Sequence, residues 1–305
     1  MTPPRIPDEA PTAGWDIHCH TVFSDGTETP QTLAGLAVEK GLHGVAITDH
    51  DTSNGWPEML RACRTAGMPV LLGTEVTADD EGVSVHVLAF LYDPSNPAIS
   101  GMFRRTREAR LGRARRMTQL LAKDFPITWD AVLAQARQGD STTVGRPHLA
   151  DALVAAGVYP TRSDAFSGAL ASSSPYYIPT PSPTTHEVVR AVKAAGGVSV
   201  VAHAGDRGRN RHLLTDAQIE SLADDGLDGL EVWHRGNGPD QRQRLLAIAH
   251  RRGLLVTGGS DWHGSGKPNQ LGENLTDDGT VGEIMSRGVP VDRIAGTLDS
   301  VSYES

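Results

Sequence analysis

Only two cysteines, Cys19 and Cys63, occur in the chain. That excludes a disulfide framework and points to a reducing compartment, the cytoplasm. No apolar run approaches the ~20 residues of a membrane-spanning helix, so no membrane partner is expected. Positive charge is also in short supply: 28 Lys and Arg against 37 Asp and Glu give a formal net charge of −9. Such a chain is a poor general binder of long double-stranded DNA, because that binding depends on counterion release from phosphates. The formal count omits bound cations, however, and divalent ions can make one pocket positive inside an acidic shell. Residues 1–13 are polar and proline-rich with no apolar core. They read as a disordered tail rather than an export signal.

Hydrophobic residues make up 38% of the 305 residues and recur in short runs, enough for a buried core. Apolar strand candidates alternate with helical segments, which gives an α/β class. The first strand is expected around Trp15 to His20. A helix follows in which Thr29 caps, Pro30 suits the first turn, Leu33, Leu36 and Ala37 form the apolar stripe and Gly41 stops. Further strands are expected at Gly44–Thr48, Val70–Val76, Val83–Leu91, Val198–Ala202, Leu227–Val232 and Leu254–Gly258. The third and fourth form a hairpin around Asp79–Gly82. Periodicity alone does not choose between a closed barrel and an open sheet. Residues 94–183 break the alternation with helices and loops. The expected organisation is therefore a parent domain over 14–93 and 184–305, with 94–183 as a helical insertion that caps and shapes the substrate pocket. From Asp277 onward the pattern is weak.

His18 and His20 are two residues apart on a strand, so both rings share a face and can grip one metal, while Cys19 faces the other way as a small core residue. Asp25 lies in the following loop, and His50 ends the next strand. Glu75 and His86 lie on the hairpin, His203 ends a later strand, and Asp261 and His263 follow the last one. Nitrogen and carboxylate donors in this mix suit Zn²⁺, Mn²⁺ or Fe²⁺, and α/β active sites gather at the carboxyl ends of strands. Any one of these residues alone is more often structural. Six histidines and three carboxylates at strand ends together are not readily accidental. His43, His186, His212 and His250 are read as ordinary surface or structural residues. Seven arginines between Arg104 and Arg116 crowd one helical segment. They read as a solvated face, with a basic rim drawing phosphate as the competing reading.

Asp16-Ile17-His18-Cys19-His20-Thr21 with Ser24-Asp25-Gly26 resembles the opening motif of the polymerase and histidinol phosphatase (PHP) family. Ile47-Thr48-Asp49-His50-Asp51, Gly73-Thr74-Glu75-Val76-Thr77, Val85-His86-Val87-Leu88, Ala202-His203 and Gly259-Ser260-Asp261-Trp262-His263 resemble its later motifs, in order. The resemblance implies a distorted (β/α)7 barrel and two or three divalent ions (Mn²⁺, Fe²⁺ or Zn²⁺). One would be held by His18, His20, Glu75 and Asp261. A second would be held by Glu75, His86 and His203, and a third by Asp25, His50 and His263. A nucleophilic hydroxide would bridge two metals at Glu75.

Gly145-Arg146-Pro147-His148-Leu149 and Glu231-Val232-Trp233-His234 resemble segments of family members that hydrolyse nucleoside 3′,5′-bisphosphates and trim short RNA from its 5′ end. By that resemblance Arg146, His148 and Arg162 would touch substrate phosphate. His234 would line the pocket and could protonate the leaving oxygen. Where relatives often carry a basic residue before a tyrosine, this chain has Ser172-Ser173-Ser174-Pro175. There it departs from the family's grip on a second phosphate. The expected activity is hydrolysis of a nucleotide phosphate monoester, with a small nucleotide or short RNA as partner. The alternatives are a cyclic phosphodiesterase, a histidinol phosphatase or a non-catalytic metal-binding PHP module.

Overall fold

The structure, a computed structural model, describes residues 9–301 except Arg211. Most of the tail expected over 1–13 therefore lies outside the described residues. Seven strands run β1 (Trp15–Asp16), β2 (Gly44–Ile47), β3 (Val70–Asp80), β4 (Val83–Phe90), β5 (Val198–Val201), β6 (Gly229–Trp233) and β7 (Leu255–Gly258). They pair in that order in one sheet. All neighbours are parallel except β4, which is antiparallel to both β3 and β5. The parallel pairs are joined by helices α1 (Pro30–Glu39), α2 (Trp56–Ala66), α8 (Asp216–Asp225) and α9 (Pro239–Arg252). The sheet nearly closes into a barrel. Past β1 the backbone meets the segment after β7, where His20 N–H donates to Trp262 O at 2.8 Å and Trp262 N–H to His18 O at 3.3 Å. That pairing explains why the first strand is short. Ile17 to His20 are buried and joined to a loop rather than to a strand ladder.

Local chemistry sets several of these elements. Thr29 caps α1, its hydroxyl accepting from Thr32 N–H. The β3–β4 hairpin turns through Glu81 and Gly82, both at positive φ, and Gly82 N–H donates to Asp79 Oδ1 at 2.9 Å. Two left-handed residues match the twist of the strands they join. The weakly patterned end carries two helices, α10 (Asp278–Arg287) and α11 (Val291–Val301). Gly279, Gly282 and Gly296 blur their periodicity, and burial of Val281, Ile284 and Ile294 against the barrel compensates for low helix propensity.

Between β4 and β5 lie α3 (Pro97–Leu121), α4 (Trp129–Leu133), α5 (Arg146–Ala155), α6 (Arg162–Ser167) and α7 (Thr185–Ala194). Helix α3 links two cores. Its first turns bury Ile99, Met102 and Phe103 in the barrel core, and its last turns bury Met117 and Leu121 in a second cluster with Val132, Leu149, Leu153 and Leu170. The arginine run on this helix divides by face. Arg104, Arg105, Arg115 and Arg116 are exposed, whereas Arg107, Arg110 and Arg113, spaced by three, turn inward. Arg107 donates to Asp51 O at 3.0 Å, and Arg110 pairs with buried Asp51 at 2.9 Å. The solvated reading thus holds for the outer face and not for the inner one.

Candidate metal centre

Parallel strands deliver their carboxyl ends to one mouth of the barrel. His50, His203, His234 and Asp261 lie just past β2, β5, β6 and β7. Because β4 runs the other way, His86 reaches the same mouth from the first half of its strand. There it stands opposite Thr77, two residues beyond Glu75 on β3. Asp51, His203 and Asp261 adopt positive φ. Such backbone is uncommon for non-glycine residues and concentrates at sites where the fold imposes it.

All nine side chains expected to bind metal are buried together. His20 Nε2 lies 3.1 Å from Glu75 Oε2 and 3.3 Å from Asp261 Oδ1, and His18 Nε2 lies 3.4 and 3.5 Å from the same two atoms. Donors held at 2.0–2.2 Å around a tetrahedral ion stand about 3.4 Å apart, so this spacing suits a metal. Asp25 Oδ1 lies 3.2 Å from His263 Nε2 and 3.9 Å from His50 Nε2. Glu75 Oε1 lies 2.5 Å from His86 Nδ1 and 2.9 Å from His203 Nε2.

Three groups of donors can each hold an ion: His18, His20, Glu75 and Asp261; His20, Asp25, His50 and His263; and His50, Glu75 and His86. The first coincides with the expected set. In the second His20 joins, and in the third His50 takes the place of His203, which still touches Glu75. His50 faces both ways, with Nδ1 3.3 Å from Glu75 Oε2 and Nε2 toward Asp25. A second test comes from hydrogen bonding. His18 Nε2, His20 Nε2, His50 Nδ1, His263 Nε2 and Asp261 Oδ1 are buried without an aligned partner among the described residues. Buried polar atoms are normally satisfied, so five unpartnered atoms around one space fit cations.

The charges point the same way. Burial works against ionisation of Glu75, but the His86, His50 and His18 rings outweigh it and hold the carboxyl well below its usual range. Burial also opposes charge on His20, but the closeness of the Asp261 and Glu75 carboxylates, with the charges of Glu75 and Asp25, raises it to about 9. Metal-free His20 is therefore protonated at pH 7. It must lose that proton to bind a cation. Metal uptake at pH 7 is expected to release protons, and apparent affinity to rise with pH up to about 9. Calorimetric titration in buffers of different ionisation enthalpy measures this directly. The same observed heat in every buffer would contradict it.

A supporting layer surrounds these donors. His18 Nδ1 lies 2.9 Å from Glu231 Oε1, and His203 N–H donates to Glu231 Oε2 at 2.7 Å. A Cβ on Gly259 would sit 2.4 Å from His18 Cβ and 2.8 Å from Glu231 Oε1, so only glycine permits this approach. Asp49 accepts from Thr21 N–H, Thr21 Oγ1 and Ser24 Oγ, which folds the loop that presents Asp25. Asp16 accepts from Ser260 N–H and Gly272 N–H, fixing the chain before Asp261. Lys267 pairs with Asp261 Oδ2 at 2.7 Å. None of these was assigned a role from the sequence. The signal for Glu231 was a lone carboxylate inside the apolar strand Gly-Leu-Glu-Val-Trp, since a buried charge must be paired.

The expected phosphate contacts divide. Arg146, at the first position of α5, donates one nitrogen to Leu170 O at 3.2 Å and lies over the rings of Phe166 and Tyr177. Buried His148 accepts from Gly145 N–H at Nδ1, which leaves Nε2 to carry the proton. His234 Nδ1 likewise accepts from Gly236 N–H, and its Nε2 is buried without a partner among the described residues. Arg162 differs from expectation. Two of its nitrogens pair with Asp151 and the third donates to Asp25 O at 2.9 Å. Paired with Asp151 and bonded to the backbone of Asp25, it clamps the Asp25 loop. Away from the mouth, His43 pairs with Asp278 and His186 with Asp225. Among the described residues no helix is long and apolar enough to cross a membrane.

Comparison with known proteins agrees with this geometry. The PHP domain family matches residues 16–135. The chain is 31% identical to the 5′-3′ exoribonuclease Rnm of Salmonella typhimurium over 86% of this chain and 89% of that one. It is 30% identical to the 3′,5′-nucleoside bisphosphate phosphatase of Chromobacterium violaceum over 84% of this chain and 89% of that one. A crystal structure from Bifidobacterium adolescentis, of a protein assigned as a metal-dependent phosphoesterase, superposes with a TM-score of 0.93. Its identity is 68%, and the match covers 93% of this chain and 100% of that one.

Proposed function

The chain belongs to the PHP domain family and is a metal-dependent phosphoesterase, and on that premise we propose that it hydrolyses a nucleotide phosphate monoester. The substrate in this reading is a nucleoside 3′,5′-bisphosphate, which yields the nucleoside 5′-monophosphate and phosphate. Short RNA entering by its 5′ end is a second substrate. The observation that carries the reading is the placing of Arg146. Its guanidinium has no carboxylate partner among the described residues, and it comes from the helical segment 94–183, which we read as a cap over the metal basin.

His18, His20, Glu75 and Asp261 would hold one ion, Glu75, His86 and His203 a second, and Asp25, His50 and His263 a third. The donor set suits Mn²⁺, Fe²⁺ or Zn²⁺. Bound there, such ions supply a nucleophile at neutral pH and polarise the phosphoryl oxygens. The protein's own groups do the rest. Arg146 offers a planar fork that matches a phosphate edge. His148 and His234, whose Nδ1 atoms accept from backbone N–H groups, would offer Nε2–H donors to the substrate. Burial holds His234 down to about 4, against the opposing pull of Glu231, so at pH 7 it is a neutral donor rather than a stored proton. Arg162 keeps Asp25 in place through its backbone. Cys19 and Cys63, free and buried, fit a reducing cytoplasm.

The test is a comparison of kcat/KM for adenosine 3′,5′-bisphosphate, adenosine 5′-monophosphate, a cyclic phosphate and histidinol phosphate, each with Mn²⁺. The bisphosphate is expected to lead. If the cyclic phosphate or histidinol phosphate leads, the metal chemistry stands and the substrate reading falls.

A further inference from the structure

The two carboxylates of the first donor group face the basin differently. Glu75 turns both oxygens to histidines, Oε2 to His18 and His20 and Oε1 to His86 and His203. Asp261 turns only Oδ1 to His18 and His20, at 3.5 and 3.3 Å from their Nε2 atoms. Its Oδ2 accepts from Lys267 Nζ at 2.7 Å. Asp261 is buried, whereas the Lys267 side chain is 32% exposed at the rim. The turn that carries Lys267 is pinned on both sides. Before it, Ser265 N–H donates to Thr27 Oγ1 at 2.9 Å and Gly266 N–H to His263 O at 3.2 Å. After it, the Asn269 side-chain amide donates to Ser260 O at 2.7 Å. Fixed backbone thus delivers the ammonium to Asp261, which offsets part of the entropy that an exposed lysine loses on pairing.

A carboxylate can bind a cation through one oxygen or through both. A second oxygen would fill a coordination position that a catalytic ion keeps open for water or substrate. The Lys267 ammonium engages Oδ2, and as a positive charge beside the basin it also opposes the entry of a further cation. We infer that Lys267 is a positioning residue that withholds Oδ2 of Asp261 from the basin, keeps Asp261 a one-oxygen ligand and loosens the hold of the first donor group on its ion. Glu231 and Lys267 then act on one donor group in opposite senses. Glu231 steadies His18 and strengthens binding, while Lys267 lowers affinity and keeps a position open. The inference rests on the metal centre and not on the choice of substrate.

The experiment titrates chelated protein with Mn²⁺ by calorimetry in the wild type, in Lys267→Met, which keeps the aliphatic stem, and in Lys267→Arg, which keeps the charge. Each is first checked for native unfolding temperature without metal. If Lys267→Met fails that check, Lys267→Gln is titrated in its place. Loss of the ammonium is expected to lower the Kd of one bound ion by about tenfold or more. Lys267→Arg should stay close to the wild type. A residue that only steadies the fold would give the opposite sign, weaker binding on substitution. Unchanged or weaker Mn²⁺ binding by the folded Lys267→Met protein therefore overturns the inference. So does an equal tightening in an Asp261→Asn background, because the effect would then not pass through Asp261. A wild type that binds no Mn²⁺ would overturn the metal centre itself, and this inference with it, whereas failure to turn over the bisphosphate leaves the titration to decide as before.

Discussion

Replacing Glu75 by glutamine is expected to lower phosphate release by about 10³-fold or more. Glu75 is the hub of the proposed centre. One of its oxygens faces His18, His20 and His50, and the other faces His86 and His203. Glutamine keeps the shape and the fold but removes the negative charge that two adjacent cations would share. It also puts an amide N–H against imidazole nitrogens that must be free to bind metal. The expected consequence is loss of ions from the two groups that contain Glu75, read by metal analysis, together with loss of turnover at saturating substrate. Normal metal content with normal turnover would remove Glu75 from the chemistry.

Glu231→Ala is expected to cost 10- to 100-fold in metal affinity or activity, roughly the range for residues that orient a ligand without touching the ion. Glu231 sets two ligands at once. It holds the His18 ring from the side away from the basin, and it takes the backbone N–H of His203 where that residue bends into positive φ. Burial opposes its charge, but His18 outweighs that and keeps Glu231 below the usual carboxylate range. An alanine leaves His18 without its buried partner and free to rotate. Weaker Mn²⁺ binding by titration, with activity recovering at high metal, is the expected signature. Unchanged affinity would show that Glu231 serves the fold alone.

The helices and the hairpin were legible where local chemistry decides them, at Thr29, Pro30 and the Asp79–Gly82 turn. The gathering of His18, His20, His50, Glu75, His86, His203, Asp261 and His263 was legible because strand ends of an α/β sheet share one edge. Barrel closure was not legible from periodicity, since the bonds from His18 and His20 to Trp262 join residues far apart in the chain and leave no periodic trace. Nor was the use of the arginines. Spacing by three shows that Arg107, Arg110 and Arg113 share a face, but only docking of α3 against the mouth turns that face inward. Arg162 shows the reverse case. A motif context suggested a phosphate contact, and the nearness of Asp151, one helix away, gave it another partner.

The central claim is that this basin, loaded with divalent ions, cleaves a phosphate monoester of a nucleotide. The most direct measurement is phosphate release from adenosine 3′,5′-bisphosphate by chelated protein and by the same sample reloaded with Mn²⁺, with bound metal counted in each. The account predicts no release after chelation, and recovery that tracks the first two ions bound per chain, with adenosine 5′-monophosphate as the nucleotide product. Undiminished release from the chelated sample, or no release from a fully loaded one, would contradict it.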